Sequence, residues 1–318
     1  MSVLITGASG FVGGAVCALA ASRGLSVRPV FRDALSAARS GVKISQAALV
    51  GDIGAATGWG HALHGIDSVI HCAADSGVGS AHIIDVARRL REVNVEGTIN
   101  LATQAVSMGV RRFVFVSSVK VNGESTSLGR PFTTRDNPAP SDGYAASKAD
   151  AEAALLEIGR RGSMEVVVVR PPLVYGRGMK GNLSGLLRWI ARGVPLPLGA
   201  VRDNRRSVIA AENLADFLLL CTTHPNAAGQ VFLVSDGTDF STAALIETMA
   251  KGMGIRARLL GVSPALISNC AVLLGKHDMA KRLLGSLQVD ISKAQLMLGW
   301  HPPVTTREGF RLLSAEGP

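Results

Sequence analysis

The chain has 318 residues, 47% of them hydrophobic and 18% charged, which gives a globular protein with one large core or two closely joined ones. Its formal charge of +9 suits an anionic ligand, a nucleic acid or a membrane surface, yet the basic residues run along the whole chain and read as solvated surface. Aromatics make up only 4%, too few to supply stacking platforms, so nucleic acid is excluded as a partner.

A strand-like run, Ser2–Thr6, follows Met1 with no room for a signal peptide, so a cytoplasmic protein is expected. The longest apolar run near the C-terminus, 265–275, is interrupted by Ser268 and Asn269 and is far shorter than the roughly 20 residues of a membrane span, so no stable membrane insertion is expected. Cys17, Cys72, Cys221 and Cys270 lie far apart in apolar segments without zinc spacing, and are expected as reduced core residues with no metal site.

After the first strand comes Thr6-Gly7-Ala8-Ser9-Gly10-Phe11-Val12-Gly13, opening a helix over Phe11–Ser22. In that context Gly7 permits the tight turn, Gly10 lets the backbone approach a pyrophosphate, and Gly13 allows close helix–strand packing, with the helix N-terminus facing the phosphates of a dinucleotide. The second strand, Ser26–Phe31, ends on Phe31 where a ribose-binding carboxylate would stand, and Arg32 follows. A guanidinium there suits a 2′-phosphate, so NADP(H) is favoured, with NAD(H) the alternative because Asp33 comes one residue later. After the third strand, at 48–50, Asp52 and Ile53 are placed beside the adenine. The fourth, at 68–72, leads into Ala73 and Ala74 at the cofactor edge, with His71 read as a satisfied strand-end histidine.

A helical stretch at 82–108, a fifth strand over Arg112–Val116 closed by Ser117 and Ser118, a helix at 144–161 and a sixth strand at 165–169 complete an alternation that predicts a doubly wound α/β (Rossmann) parallel sheet. The alternation stops at Arg170-Pro171-Pro172. Residues 1–170 are expected to form the dinucleotide-binding domain and residues 171–318 a smaller substrate-binding region, with the run at 231–234 free to return to the first sheet. On the helix at 144–161, Tyr144 and Lys148 stand four apart and so share a face.

The glycine motif, the serine pair and Tyr144-Ala145-Ala146-Ser147-Lys148, in this order, resemble the extended short-chain dehydrogenase/reductases, and within them the NAD-dependent epimerase/dehydratase group, over nearly the whole chain. The resemblance implies Ser118, Tyr144 and Lys148 as the catalytic set, with Tyr144 as general acid/base and its acidity raised by the Lys148 ammonium. It makes Asn94 a structural brace. Cofactor contacts are implied at Gly7, Ser9, Gly10, Phe11, Val12, Gly13, Arg32, Asp52, Ile53, Ala73, Ala74, Tyr144, Lys148 and Pro171, and substrate contacts at Ser76, Ser118, Asn182, Arg206 and Arg282. Arg206, upstream of Asn213-Leu214-Ala215-Asp216, and Arg282, before Asp290-Ile291-Ser292-Lys293-Ala294, are the candidates for a nucleotide-sugar diphosphate.

The same resemblance implies a homodimer through the helices at 82–108 and 144–161. The segments SSVKVNGE, RPPLVYG, FLVSDG and GSLQVDISKA look like those of bacterial reductases of UDP-4-keto-6-deoxy-N-acetylhexosamines for surface polysaccharide. An NADPH-dependent 4-ketoreductase is therefore the expectation, with an NAD-dependent UDP-hexose 4-epimerase as alternative. A non-catalytic NADP-binding regulator is the alternative of another class, although such proteins usually lack the Ser–Tyr–Lys set that this chain keeps.

Overall fold

A computed structural model of the protein describes residues 1–41, 46–77, 83–179 and 182–314. Seven strands, β1 (Ser2–Thr6), β2 (Ser26–Phe31), β3 (Ala48–Leu49), β4 (Ser68–His71), β5 (Arg112–Val116), β6 (Glu165–Arg170) and β9 (Val231–Leu233), pair in parallel in the order β3-β2-β1-β4-β5-β6-β9. Because side chains alternate along a strand, the central strands feed two cores. Val3, Ile5, Val114 and Val167 point to one face, packed with Phe217, Leu218 and Trp300. Leu4, Phe113, Val166 and Val168 point to the other, packed with Trp59, Leu101 and Leu155. Burial on both faces explains why these runs lack polar alternation.

The helices α1 (Phe11–Ser22) and α8 (Ala211–Cys221) pack on one face of the sheet. Covering the other face are α3 (Gly60–Leu63), α5 (Gly97–Ser107) and α6 (Gly143–Arg161), while α2 (Ala34–Arg39) follows β2 at the sheet edge. The order of strands reverses between β1 and β4, a switch point at whose carboxyl ends such sheets form the crevice that takes a ligand.

The expected continuous helix at 82–108 is broken: α4 (Ile83–Leu90) passes through a π-helical turn, Arg91–Glu96, into α5. Its expected first residue, His82, lies outside the described residues. The wider turn carries Asn94, whose side chain is spent on neighbouring elements.

Beyond β6, a three-stranded sheet forms from β7 (Leu173–Tyr175), β8 (Arg206–Ala210) and β10 (Asp239–Phe240), with β8 in the centre. Its core unites Tyr175, Ile246 and Met249 with Phe310, drawing on α7 (Asn182–Ala191), α9 (Thr242–Gly252) and α13 (Thr306–Ser314). The remaining helices are α10 (Pro264–Leu273), α11 (His277–Leu284) and α12 (Ser292–Leu298). Cys270 departs from expectation: it is exposed, because only one side of α10 faces the protein, whereas Cys17 and Cys72 pack partly buried and Cys221 is fully buried. Among the described residues no helix is long and apolar enough to cross a membrane.

The two sheets are tied at Asp236. This buried carboxylate accepts hydrogen bonds from Tyr175 Oη (2.7 Å), Thr306 Oγ1 (3.0 Å), Asn213 Nδ2 (2.7 Å) and the Ala210 amide (2.9 Å). Replacing Asp236 with Ala strands those donors in the interior, and a loss of about 3 kcal/mol or more in unfolding free energy is expected from urea denaturation. A variant within about 1 kcal/mol of the parent would show that water replaces the carboxylate.

Candidate active site

The turn after β1 is dictated by close contact. Gly7 has φ +66°, and a Cβ there would stand 2.8 Å from the Ala73 nitrogen, while one on Gly13 would stand 2.2 Å from the Gly7 carbonyl oxygen. Gly10 precedes α1 and offers no capping side chain, so the first amides of the helix remain available to an anion. Ser9 is exposed at the rim, Val12 packs into the core beneath, and the Phe11 ring lies against Gly176. Ile53 is held by Gly97, where a Cβ would come within 2.6 Å of it.

At the end of β2, Arg32 and Asp52 form an exposed ion pair, Nε to Oδ1 at 2.9 Å. Asp33 turns away from this corner, accepting from the Ser36 amide at 2.7 Å as the N-cap of α2. Two expected cofactor residues thus meet each other, and the acid that clouded the choice of cofactor is occupied elsewhere. Ala73, Ala74 and Ser76 follow β4 along the same crevice, Ala74 and Ser76 exposed.

The helix carrying Tyr144 begins at Asp142, whose Oδ1 accepts from the Ala145 amide at 2.7 Å. Tyr144, Lys148 and Glu152 then recur every fourth residue along one face. Lys148 is buried, with Nζ donating to the Val116 carbonyl (2.8 Å) and lying 4.4 Å from the centre of the Phe115 ring. Burial pulls its ammonium down to about 8. The expectation that Lys148 raises the acidity of Tyr144 is not met in this state: burial, with the Asp142 carboxylate adding to it, pushes the phenol up to about 12.

Ser117 and Ser118 separate cleanly. The Ser117 hydroxyl donates to Glu152, which also pairs with Arg170 (Nη2 to Oε2, 2.5 Å), and Arg170 in turn donates to Asn122 Oδ1 at 3.0 Å. All four side chains are buried. Ser118 caps the short 3-10 turn Val119–Val121, and among the described residues its hydroxyl oxygen accepts only a long contact from the Lys120 amide, 3.2 Å. Pro171, at the end of β6, accepts the Val119 amide through its carbonyl (2.9 Å).

On the far side of the crevice, the strand-like segment 285–290 is laid between the loop 126–132 and β8. This brings the two candidate diphosphate arginines together. Arg206 Nη1 donates to the carbonyls of Arg282 (2.5 Å) and Gly285 (3.1 Å), and Arg282 Nη2 reaches Glu124 Oε1 at 3.0 Å and Asp142 Oδ2 at 4.0 Å. Lys120 completes the group, 2.5 Å from Asp142 Oδ2 and 3.1 Å from Glu124 Oε1. Asn182 opens α7, but its side chain lies outside the described residues.

Sequence reasoning missed Glu152, Arg170, Asp142 and Lys120. The fourfold spacing Tyr144, Lys148, Glu152 was the available signal for the first, and an acid directly before a helix was the signal for Asp142.

Residues 3–235 match the family described as the NAD dependent epimerase/dehydratase family. A Vibrio cholerae protein named UDP-glucose 4-epimerase is 44% identical over 98% of this chain and 93% of its own length. Among solved structures, UDP-glucuronic acid 4-epimerase from Bacillus cereus in complex with NAD has a TM-score of 0.76 at 19% identity, covering 98% of this chain and 97% of that one. RMD from Pseudomonas aeruginosa complexed with NADPH has a TM-score of 0.72 at 21% identity, covering 99% and 98%. At these identities the two structures bear on the fold alone, and they agree with the seven-stranded sheet.

A buried ion pair that loses one partner leaves an uncompensated charge, so Glu152→Gln is expected to cost about 3–5 kcal/mol in urea unfolding. A cost below about 1 kcal/mol would mean that Arg170 finds another partner.

Proposed function

This chain belongs to the NAD-dependent epimerase/dehydratase family, an enzyme family of the extended short-chain dehydrogenase/reductase fold, and we propose that it acts as a UDP-hexose 4-epimerase. The observation that carries this reading is the 44% identity, over nearly the full length of both chains, to the Vibrio cholerae protein of that activity. The residues fit a dinucleotide cofactor: the turn at Gly7 admits no side chain against Ala73, and the first amides of α1 face the crevice without a cap. When bound, that cofactor supplies the acceptor and donor of the C4 hydride.

The chain's own residues handle the proton and the position. Tyr144 exchanges the proton of the C4 hydroxyl, and Ser118, whose hydroxyl has no strong intramolecular commitment, hydrogen-bonds the same oxygen. Lys148 spends one of its three N–H donors on Val116 and has two more for a ribose and for the phenolate that forms. Arg206 and Arg282 face the diphosphate, with Lys120 beside them. Residues 1–170 hold the cofactor and carry Ser118, Tyr144 and Lys148, and residues 171–318 supply further substrate contacts, with β9 and α8 returning to the first sheet. A homodimer through the helical stretch from α4 to α5 and through α6 belongs to the same proposal.

Two observations favour a second reading, an NADPH-dependent reductase of a UDP-4-keto sugar. Arg32 offers a cation at the ribose corner, with Asp33 tied into the helix cap. The phenol of Tyr144, pushed up to about 12, is held in the acid form that reduction of a ketone consumes. Against NADP preference, Asp52 already neutralises Arg32, and a 2′-phosphate would have to approach that carboxylate.

The readings separate on one bench. Purified protein given UDP-glucose without added reductant is expected to form UDP-galactose, measured by anion-exchange chromatography. Oxidation of NADPH by a UDP-4-keto-6-deoxy sugar, without interconversion, would replace the epimerase by the reductase. In either assay Tyr144→Phe is expected to lower turnover at least about a hundredfold while preserving the thermal midpoint. Full activity in that variant would remove Tyr144 from the chemistry.

A further inference from the structure

The apolar run at 265–275, too short to span a bilayer, has a place in the fold that the reaction does not use. It forms α10, and the structure leaves most of it outside: Leu266 and Val272 are each 55% exposed, Leu273 86% and Leu274 71%. Leu266, Cys270 and Leu273 follow a helical spacing along one face, interrupted by the exposed Asn269, while Ile267 and Ala271 turn towards the protein. Single exposed leucines are ordinary on any surface, whereas a contiguous exposed apolar helix is an interaction surface. No charged residue occurs from Gly261 to Gly275.

The sequence on either side of this helix is basic. Residues 251–285 carry six lysines and arginines against a single aspartate, a formal +5 out of the chain's +9, so the charge is less evenly spread than the whole sequence suggests. Arg256 and Arg258 stand exposed before the helix, and Lys276 and Lys281 after it. A second copy docked symmetrically here would set this charge against itself. An apolar strip between cations is complementary instead to a surface that is anionic outside and apolar beneath.

We infer that α10 and its basic flanks dock the enzyme on an anionic lipid bilayer, with Leu266, Leu273 and Leu274 entering the interface. The helix lies flat, since ten residues extend only about 15 Å. It is formed in advance, with Ser263 accepting from the Leu266 amide and Pro264 at the first helical position, so binding requires little ordering. The lysines and arginines lie at the headgroups, where each adds to the attraction. None of this depends on which sugar reaction the crevice performs.

The test is co-sedimentation of the full chain with vesicles of phosphatidylcholine containing about one third phosphatidylglycerol, compared with phosphatidylcholine alone. The expected result is at least about tenfold stronger partition onto the anionic vesicles, weakening several-fold as salt rises. Leu273→Ser with Leu274→Ser is expected to reduce that partition about tenfold or more, and Lys276→Glu with Lys281→Glu likewise, with circular dichroism and thermal midpoint unchanged. Absence of binding to anionic vesicles, or binding indifferent to both double variants, would overturn the inference. So would a dimer in light scattering that dissociates in the serine variant, which would give the face to a second copy.

Discussion

Two runs of hydrogen bonds, joined covalently at Asn94, lead from the residue before the glycine turn to the backbone of Tyr144, and the direction of each bond is fixed. Thr6 Oγ1 accepts the amides of Cys72 (3.1 Å) and Ala73 (3.2 Å), so its own proton is free for His71 Nδ1 at 2.7 Å. His71 must then carry its proton on Nε2 and donate to Thr98 Oγ1 (3.0 Å), which donates to the Asn94 carbonyl (2.7 Å). The Asn94 amide gives one proton to the Asp75 carbonyl and the other to Ser147 Oγ, each at 2.9 Å, and Ser147 donates to the Tyr144 carbonyl at 2.8 Å. Each buried donor is satisfied, which is what makes such a network rigid rather than costly.

The consequence is that cofactor turn and tyrosine helix are not independently placed. Thr6 and His71 are register partners in neighbouring parallel strands, Asn94 sits on the π-helical turn, and Ser147 lies three residues after Tyr144. The network of Ser117, Glu152, Arg170 and Asn122 holds the opposite side of the same helix to β6. Between these two anchors lie Ser118 and Tyr144, the two hydroxyls proposed to meet the substrate. The surface at α10 lies outside both anchors, which is why it can serve a different purpose without disturbing the site.

Much of this was legible in the sequence. Buried parallel strands announce themselves as unbroken apolar runs, and Gly7 and Gly13 stand where backbone contacts leave no space for a side chain. His71 reads correctly as a satisfied strand-end residue, and Asn94 as a brace. The acidity of Tyr144 was not legible, because it depends on burial and on Asp142 across a helix turn, and because Lys148 is directed to Val116. The break at Arg91–Glu96 was hidden by residues that suit an α-helix equally well, and the outward face of α10 by a composition that suits a core. Arg206 and Arg282 come together through segment 285–290, a pairing of chain segments distant in sequence and without local pattern.

The directional chain through His71 is open to a direct measurement. Burial pulls its imidazolium down to about 3 from an ordinary value near 6.5, so the neutral ring is favoured throughout the physiological range. Nitrogen-15 NMR of histidine-labelled protein is expected to show His71 as the neutral Nε2–H tautomer, without titration between about pH 7 and pH 5. A ring protonated on Nδ1, or one that titrates near 6.5, would contradict the chain that joins the cofactor turn to Tyr144.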